Sequence, residues 1–222
     1  MSLRSSSEEA PHEATAPASA DPPSGMVSSG MVMLIMLAQA ALFTGLGVLL
    51  WWFTGRELAR FVTFEGSQII LGCGFAGALT GLAAAYFYGL RKSSDELVKM
   101  QGPSYPFLEN RLGALPIIVI SLFAGIGEEA LFRGGLQTLL GDFLPIWLAI
   151  GLSSAGFALI HLSRPIVCFL QFLIGVIFGI VFWQTGSLLA VMIGHGLYDI
   201  FALWYVQKRL HELNFFAPTE GP

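Results

Sequence analysis

Apolar residues gather into six long runs separated by short polar breaks: 31–53, 68–90, 112–139, 144–162, 166–184 and 187–206. A helix of about 20 apolar residues, rising about 1.5 Å per residue, matches the roughly 30 Å hydrocarbon core of a bilayer. The first run closes on Trp51 and Trp52 and the second on Tyr86 and Tyr88, rings suited to a membrane–water boundary. Gly72, Gly74, Gly77 and Gly81 in the second run let helices approach closely. The pattern predicts an all-α fold: a polytopic membrane helical bundle of about six spans, with a polar loop carrying Arg91, Lys92, Lys99 and Arg111 between the second span and the third.

Composition points the same way. Of the 222 residues, 55% are hydrophobic and 12% charged, against the roughly 25% charged residues of a soluble domain. The net charge of −4 and the lack of a basic patch exclude nucleic acid as a partner, leaving membrane lipids as the surroundings. Residues 1–30 are rich in Ser, Ala, Pro and Glu and lack a signal-peptide pattern, so they read as a disordered cytosolic tail. Residues 31–208 read as the transmembrane domain and 209–222 as a cytosolic C-terminal tail. Six spans put Arg4, Arg91, Lys92, Lys99, Arg111, Arg164, Lys208 and Arg209 on one side, with Arg56 and Arg60 opposite. That asymmetry predicts both termini in the cytosol; the membrane itself is expected to be a bacterial cytoplasmic (inner) one. Cys73 and Cys168 lie inside apolar runs and read as small packing groups.

Against this background the third run carries Glu128, Glu129 and Arg133, the fourth ends on His161, and the sixth holds His195 and Asp199. Ionisable groups at membrane depth are costly and usually functional. Glu129 and Arg133 are four apart and pair on one helical face, as do His195 and Asp199, whereas Glu128 is rotated about 100° from Glu129. Glu129 with Arg133 therefore reads as a fixed pair that orients the helix, and Glu128 as the candidate general base. Together the residues could activate water and stabilise an oxyanion, or hold a divalent metal such as zinc through Glu128, His161 and His195. No H-E-x-x-H pattern occurs, so a metal would need ligands from separate spans. Each piece also has a plain structural reading, since a single buried His or a Glu–Arg pair can simply tie helices together. His12 and His211 fall outside the apolar runs and are not site candidates.

Three motifs in order carry a resemblance: Glu128-Glu129 with Phe132, Arg133 and Gly134; Phe157 with His161; and His195 with Asp199, preceded by Gly186-Ser187-Leu188. Over about 116–203 the chain resembles the CPBP family (CAAX protease and bacteriocin-processing, also Abi), which includes the type II CAAX prenyl endopeptidases. The resemblance implies an intramembrane endopeptidase with its active site in a cavity between spans, acting on a peptide or protein substrate that is membrane-associated or lipidated. In it the equivalents of Glu128 and His161 activate water, and those of His195 and Asp199 stabilise the oxyanion. The prenyl endopeptidases carry Asn where Asp199 stands here; Asn can donate to an oxyanion, whereas an ionised Asp only accepts. Asp199 is thereby free to orient His195 or to bind a metal instead.

Counting about 1.5 Å per residue from the far ends of the predicted spans places His195 about 12 Å deep, Glu128 about 18 Å and His161 about 26 Å. Convergence then requires tilted spans, shifted boundaries, or a break of the third span near Gly125 and Gly127. The competing readings are a non-catalytic membrane scaffold or bacteriocin-immunity partner, and a transporter; no inverted repeat is visible to support the last.

Overall fold

Backbone amides surrounded by lipid have no water to bond, so each apolar run closes its hydrogen bonds on itself as a helix. The computed structural model describes residues 28–217; residues 1–27 of the expected tail, His12 among them, lie outside the described residues, and its last three, 28–30, cap and begin the first helix instead. Among the described residues seven helices follow in order: α1 (Ser29–Phe53), α2 (Gly66–Gly89), α3 (Arg91–Gln101), α4 (Ala114–Gly141), α5 (Ile146–Leu159), α6 (Pro165–Thr185) and α7 (Leu188–Glu212). The ends follow local chemistry. Ser28 caps α1 by accepting from Met31 N at 3.2 Å, and Ser187 caps α7 by accepting from Ala190 N at 3.1 Å. Gly186, at φ 63°, supplies the left-handed residue that ends α6.

The chain forms the expected helical bundle, in which α1, α2, α4, α6 and α7 are each long and apolar enough to cross a membrane. The run expected to span over 144–162 behaves differently. Its helix, α5, has 14 residues, about 21 Å of helix against a core of about 30 Å. It stops partway, and His161 sits in the turn that follows.

The segment expected to be a polar loop is also different. It contains the 11-residue helix α3, followed by short 3-10 turns at Gly102–Ser104 and Pro106–Leu108. Ser94 and Val98, four apart, face inward. Ser94 Oγ meets Tyr205 Oη at 3.1 Å, and Asp95 receives Arg209 at 2.7 Å. α3 is thereby clamped across the end of α7, and α7 runs past the predicted Val206 to carry the arginine. On the opposite side Arg56 pairs with Asp142 at 2.7 Å. The guanidinium holds the Asp142 carboxyl below the usual carboxylate range.

α4 and α7 form the centre of the bundle, with α1 and α2 flanking them. Lipid gives apolar helices no reason to prefer each other, so contact depends on close backbone approach. A Cβ on Gly125 would stand 2.6 Å from Gly196 N, so only glycine lets these two helices touch there. Two apolar clusters bracket the polar residues: one around Phe87, Val98, Leu108, Ile120 and Tyr205, the other around Phe61, Ala130, Phe178 and Val191.

Candidate active site

Glu128 and Glu129 close the regular part of α4, and from Ala130 to Gln137 the helix widens into a π-helical turn. Wide turns of this kind are costly and recur at functional sites. Neighbouring hydroxyls bond carbonyls within it: Ser153 Oγ donates to Phe132 O at 2.6 Å and Thr138 Oγ1 to Arg133 O at 3.0 Å. A break at Gly125 and Gly127, one of the three alternatives, does not occur; α4 is regular through both glycines and changes pitch only after the glutamates. A wider turn advances less per residue, which together with the shorter α5 draws the three depths closer.

Arg133 and Glu129 are both 0% exposed and pair at 3.0 Å. Arg133 also donates to Gly175 O at 2.8 Å, and its guanidinium lies over the rings of Phe157 and Phe178, at 4.7 and 5.5 Å from their centroids. Gly175 is glycine for a steric reason: a Cβ there would stand 3.0 Å from Ser154 Cβ and 3.3 Å from the guanidinium. The predicted pair therefore exists, but it does more than tie one helix. Glu129 Oε1 also accepts from His195 Nδ1 at 2.7 Å, so the buried arginine anchors the carboxylate that anchors the imidazole.

His195 is held on all sides. Its Nε2 lies 3.3 Å from Asp199 Oδ2 and 3.9 Å from Glu128 Oε2, and the Phe178 ring stacks on it at 4.9 Å. His161 Nδ1 lies 2.8 Å from Phe157 O. A carbonyl only accepts, so Nδ1 carries a proton, and in the neutral ring Nε2 presents a lone pair. That lone pair faces Glu128 Oε2 at 3.9 Å. All six residues singled out in the sequence thus converge. Glu128 stands between the two histidines, Asp199 flanks His195, and Glu129 with Arg133 lies behind it. Sequence reasoning missed Phe178 and the Gly175 carbonyl, which sit in an apolar run with nothing to mark them.

Two cavities reach this cluster. The larger, about 420 Å³, opens between α2, α3, α6 and α7, with apolar walls that include Leu82, Leu97, Leu173 and Ile177, and it ends on His161, His195 and Asp199. The smaller, about 260 Å³, lies between α1, α4 and α7 and contains Glu128 with Gln39 and Ser121. Gln101, Tyr105, His161, Asp199 and Ala202 line both, so the cavities meet at the site beneath the α3–α4 connection.

The donor set does not fit a metal as it stands. Among the described residues no group of three or more His, Cys, Asp or Glu is drawn together to hold one. Both histidine Nε2 atoms lie 3.9 Å from Glu128 Oε2, whereas a tetrahedral zinc site with bonds of about 2.1 Å has ligand atoms about 3.4 Å apart.

The family model described as Type II CAAX prenyl endopeptidase Rce1-like matches residues 110–201. No curated protein and no solved structure matches the chain. The matched segment runs from just before α4 into α7 and takes in all six converging residues, leaving out α1, α2 and α3. Set in a bundle of apolar membrane helices, residues 110–201 of this integral membrane chain are similar to the Rce1-like type II CAAX prenyl endopeptidase family.

Proposed function

We propose that the chain is an intramembrane endopeptidase that hydrolyses a peptide bond in a membrane-associated or lipidated substrate. The observation that carries this reading is the pair of acceptors formed by Glu128 Oε2 and His161 Nε2, 3.9 Å apart at the junction of the two cavities. A water donating one hydrogen bond to each, at about 2.8 Å, fits between them. Such a water is polarised towards hydroxide, and Glu128 is placed to take its proton as it attacks a carbonyl carbon and to return it to the departing amine.

His195, fixed by Glu129 and Asp199, presents Nε2–H to the oxygen that becomes negative. Asp199 accepts from that N–H and sets its direction, which is the orienting role open to a carboxylate at this position. The apolar walls of the larger cavity suit an acyl or prenyl chain, and the smaller cavity suits the peptide and water. Arg91, Lys92, Lys99, Arg111, Arg164, Lys208 and Arg209 flank the side on which the cavities open, consistent with a cytosolic mouth.

The test uses the purified full chain in detergent with a fluorogenic peptide ending in a prenylated cysteine and three further residues, beside its unprenylated counterpart. Wild type is expected to cleave, preferring the prenylated probe, while Glu128→Gln loses at least about 10²-fold in kcat. A chelator that abolishes wild-type cleavage would show that a metal is drawn in by side-chain movement. Equal cleavage by Glu128→Gln would overturn the role of Glu128, and flux of a solute without cleavage would favour the transporter.

A further inference from the structure

Among the residues of the three motifs, a tetrahedral intermediate finds few hydrogen-bond donors. Glu128 and the lone pair of His161 both accept, and Asp199, where the prenyl endopeptidases carry an amide, can only accept while ionised. His195 Nε2–H is the one imidazole donor facing the reaction, and Asp199 Oδ2 already lies 3.3 Å from it. Acyl transfer in a water-poor site gains much of its rate from donors aimed at the developing oxyanion, and two are commonly used.

We propose that the Tyr105 hydroxyl is a catalytic donor to the oxyanion, supplying what Asp199 cannot. The assignment rests on the peptidase reading. Tyr105 lies between the two 3-10 turns of the α3–α4 connection, pinned by Tyr105 N to Gly102 O and Leu108 N to Tyr105 O, each 3.0 Å. Proline on either side, at 103 and 106, stiffens the segment. The side chain lines both cavities where they meet, on the same walls as His161 and Asp199. Tyr86 and Tyr198, the other tyrosines at these cavities, line only the apolar one. Burial, reinforced by the charges of Asp199 and Glu128, holds the Tyr105 phenol well above its ordinary value. It therefore keeps its proton and remains a donor.

In the step, the water oxygen bonds to the carbonyl carbon as Glu128 takes a water proton. The carbonyl π pair moves onto oxygen, which accepts from Tyr105 O–H and His195 N–H. When the C–N bond breaks, that pair reforms the carbonyl, nitrogen takes the proton from Glu128, and Tyr105 keeps its own.

The experiment compares kcat and KM of wild type, Tyr105→Phe, Tyr88→Phe, Gln101→Leu and Glu128→Gln on the prenylated fluorogenic peptide. Tyr105→Phe removes one oxygen and keeps the ring against Phe107. It is expected to lower kcat about 10²-fold, with KM within about twofold and the thermal midpoint unchanged, while Tyr88→Phe, at an exposed tyrosine outside both cavities, stays close to wild type. Wild-type kcat in Tyr105→Phe, a loss confined to KM, or a kcat loss in Gln101→Leu without one in Tyr105→Phe would overturn the assignment while leaving Glu128-dependent proteolysis intact. A wild type that cleaves neither the prenylated nor the unprenylated peptide would instead remove the peptidase reading, and the role of Tyr105 with it.

Discussion

The Glu129–Arg133 pair is buried at 0% exposure on both sides, where losing one partner leaves a charge with no compensation. Arg133→Met or Glu129→Gln alone is therefore expected to cost about 3–5 kcal/mol, whereas removing both charges together is close to neutral. The double variant separates stability from function, because Glu129 also fixes His195 at 2.7 Å. Thermal unfolding in detergent should show the Glu129→Gln/Arg133→Met double variant recovering most of the lost stability. Its kcat should stay at least tenfold below wild type; recovery of kcat along with stability would reduce Glu129 to a helix tie. The two i, i+4 pairs, Glu129 with Arg133 and His195 with Asp199, were legible because both partners share a helix. The bond from Glu129 to His195 joins two helices 66 positions apart, and spacing along the chain carries no information about it. The His161 tautomer was hidden for a related reason, since it depends on a backbone carbonyl that every residue possesses.

Among the elements, α4 does most to bring the site together. It is regular through Gly125 and Gly127, widens only beyond Glu129, and touches α7 where Gly125 meets Gly196. A bulkier residue at 125 has backbone rather than a flexible side chain in its way. Gly125→Val is expected to push α7 away from Glu128, lowering kcat about 10²-fold or more through misplacement of His195. Measured alongside the thermal midpoint, it should also destabilise the fold by about 1–3 kcal/mol; wild-type kcat would show that the site does not depend on this contact. The long apolar helices were legible from run length alone. α3 was not, because a polar segment bounded by basic residues resembles a loop; its only signal is the spacing of Ser94, Leu97 and Val98. α5 was overestimated for the opposite reason. The apolar run continues through Ile160 and Leu162 after the helix has ended, Leu162 at φ 45° in the turn that presents His161.

For the molecule as a whole, hydropathy alone gives a bundle and a side, since lipid sorts apolar from polar positions more strictly than water does. It gives no cavity, because cavities arise where helices fail to fill space. Here the short α5 and the clamp of α3 over the end of α7 leave two that meet at the proposed reacting groups. Their meeting point is what makes the proposed hydrolysis within an apolar bundle physically reasonable: one arm offers apolar walls, and the other is lined by Glu128 with Gln39 and Ser121. The most direct test of the central claim is cleavage of the prenylated peptide in heavy-oxygen water, read by mass spectrometry of the products. Wild type should place one heavy oxygen in the new carboxyl group, and a folded Glu128→Gln variant should yield no product above background. Equal product from Glu128→Gln, or wild-type product without the heavy oxygen, would contradict hydrolysis by a water held at Glu128.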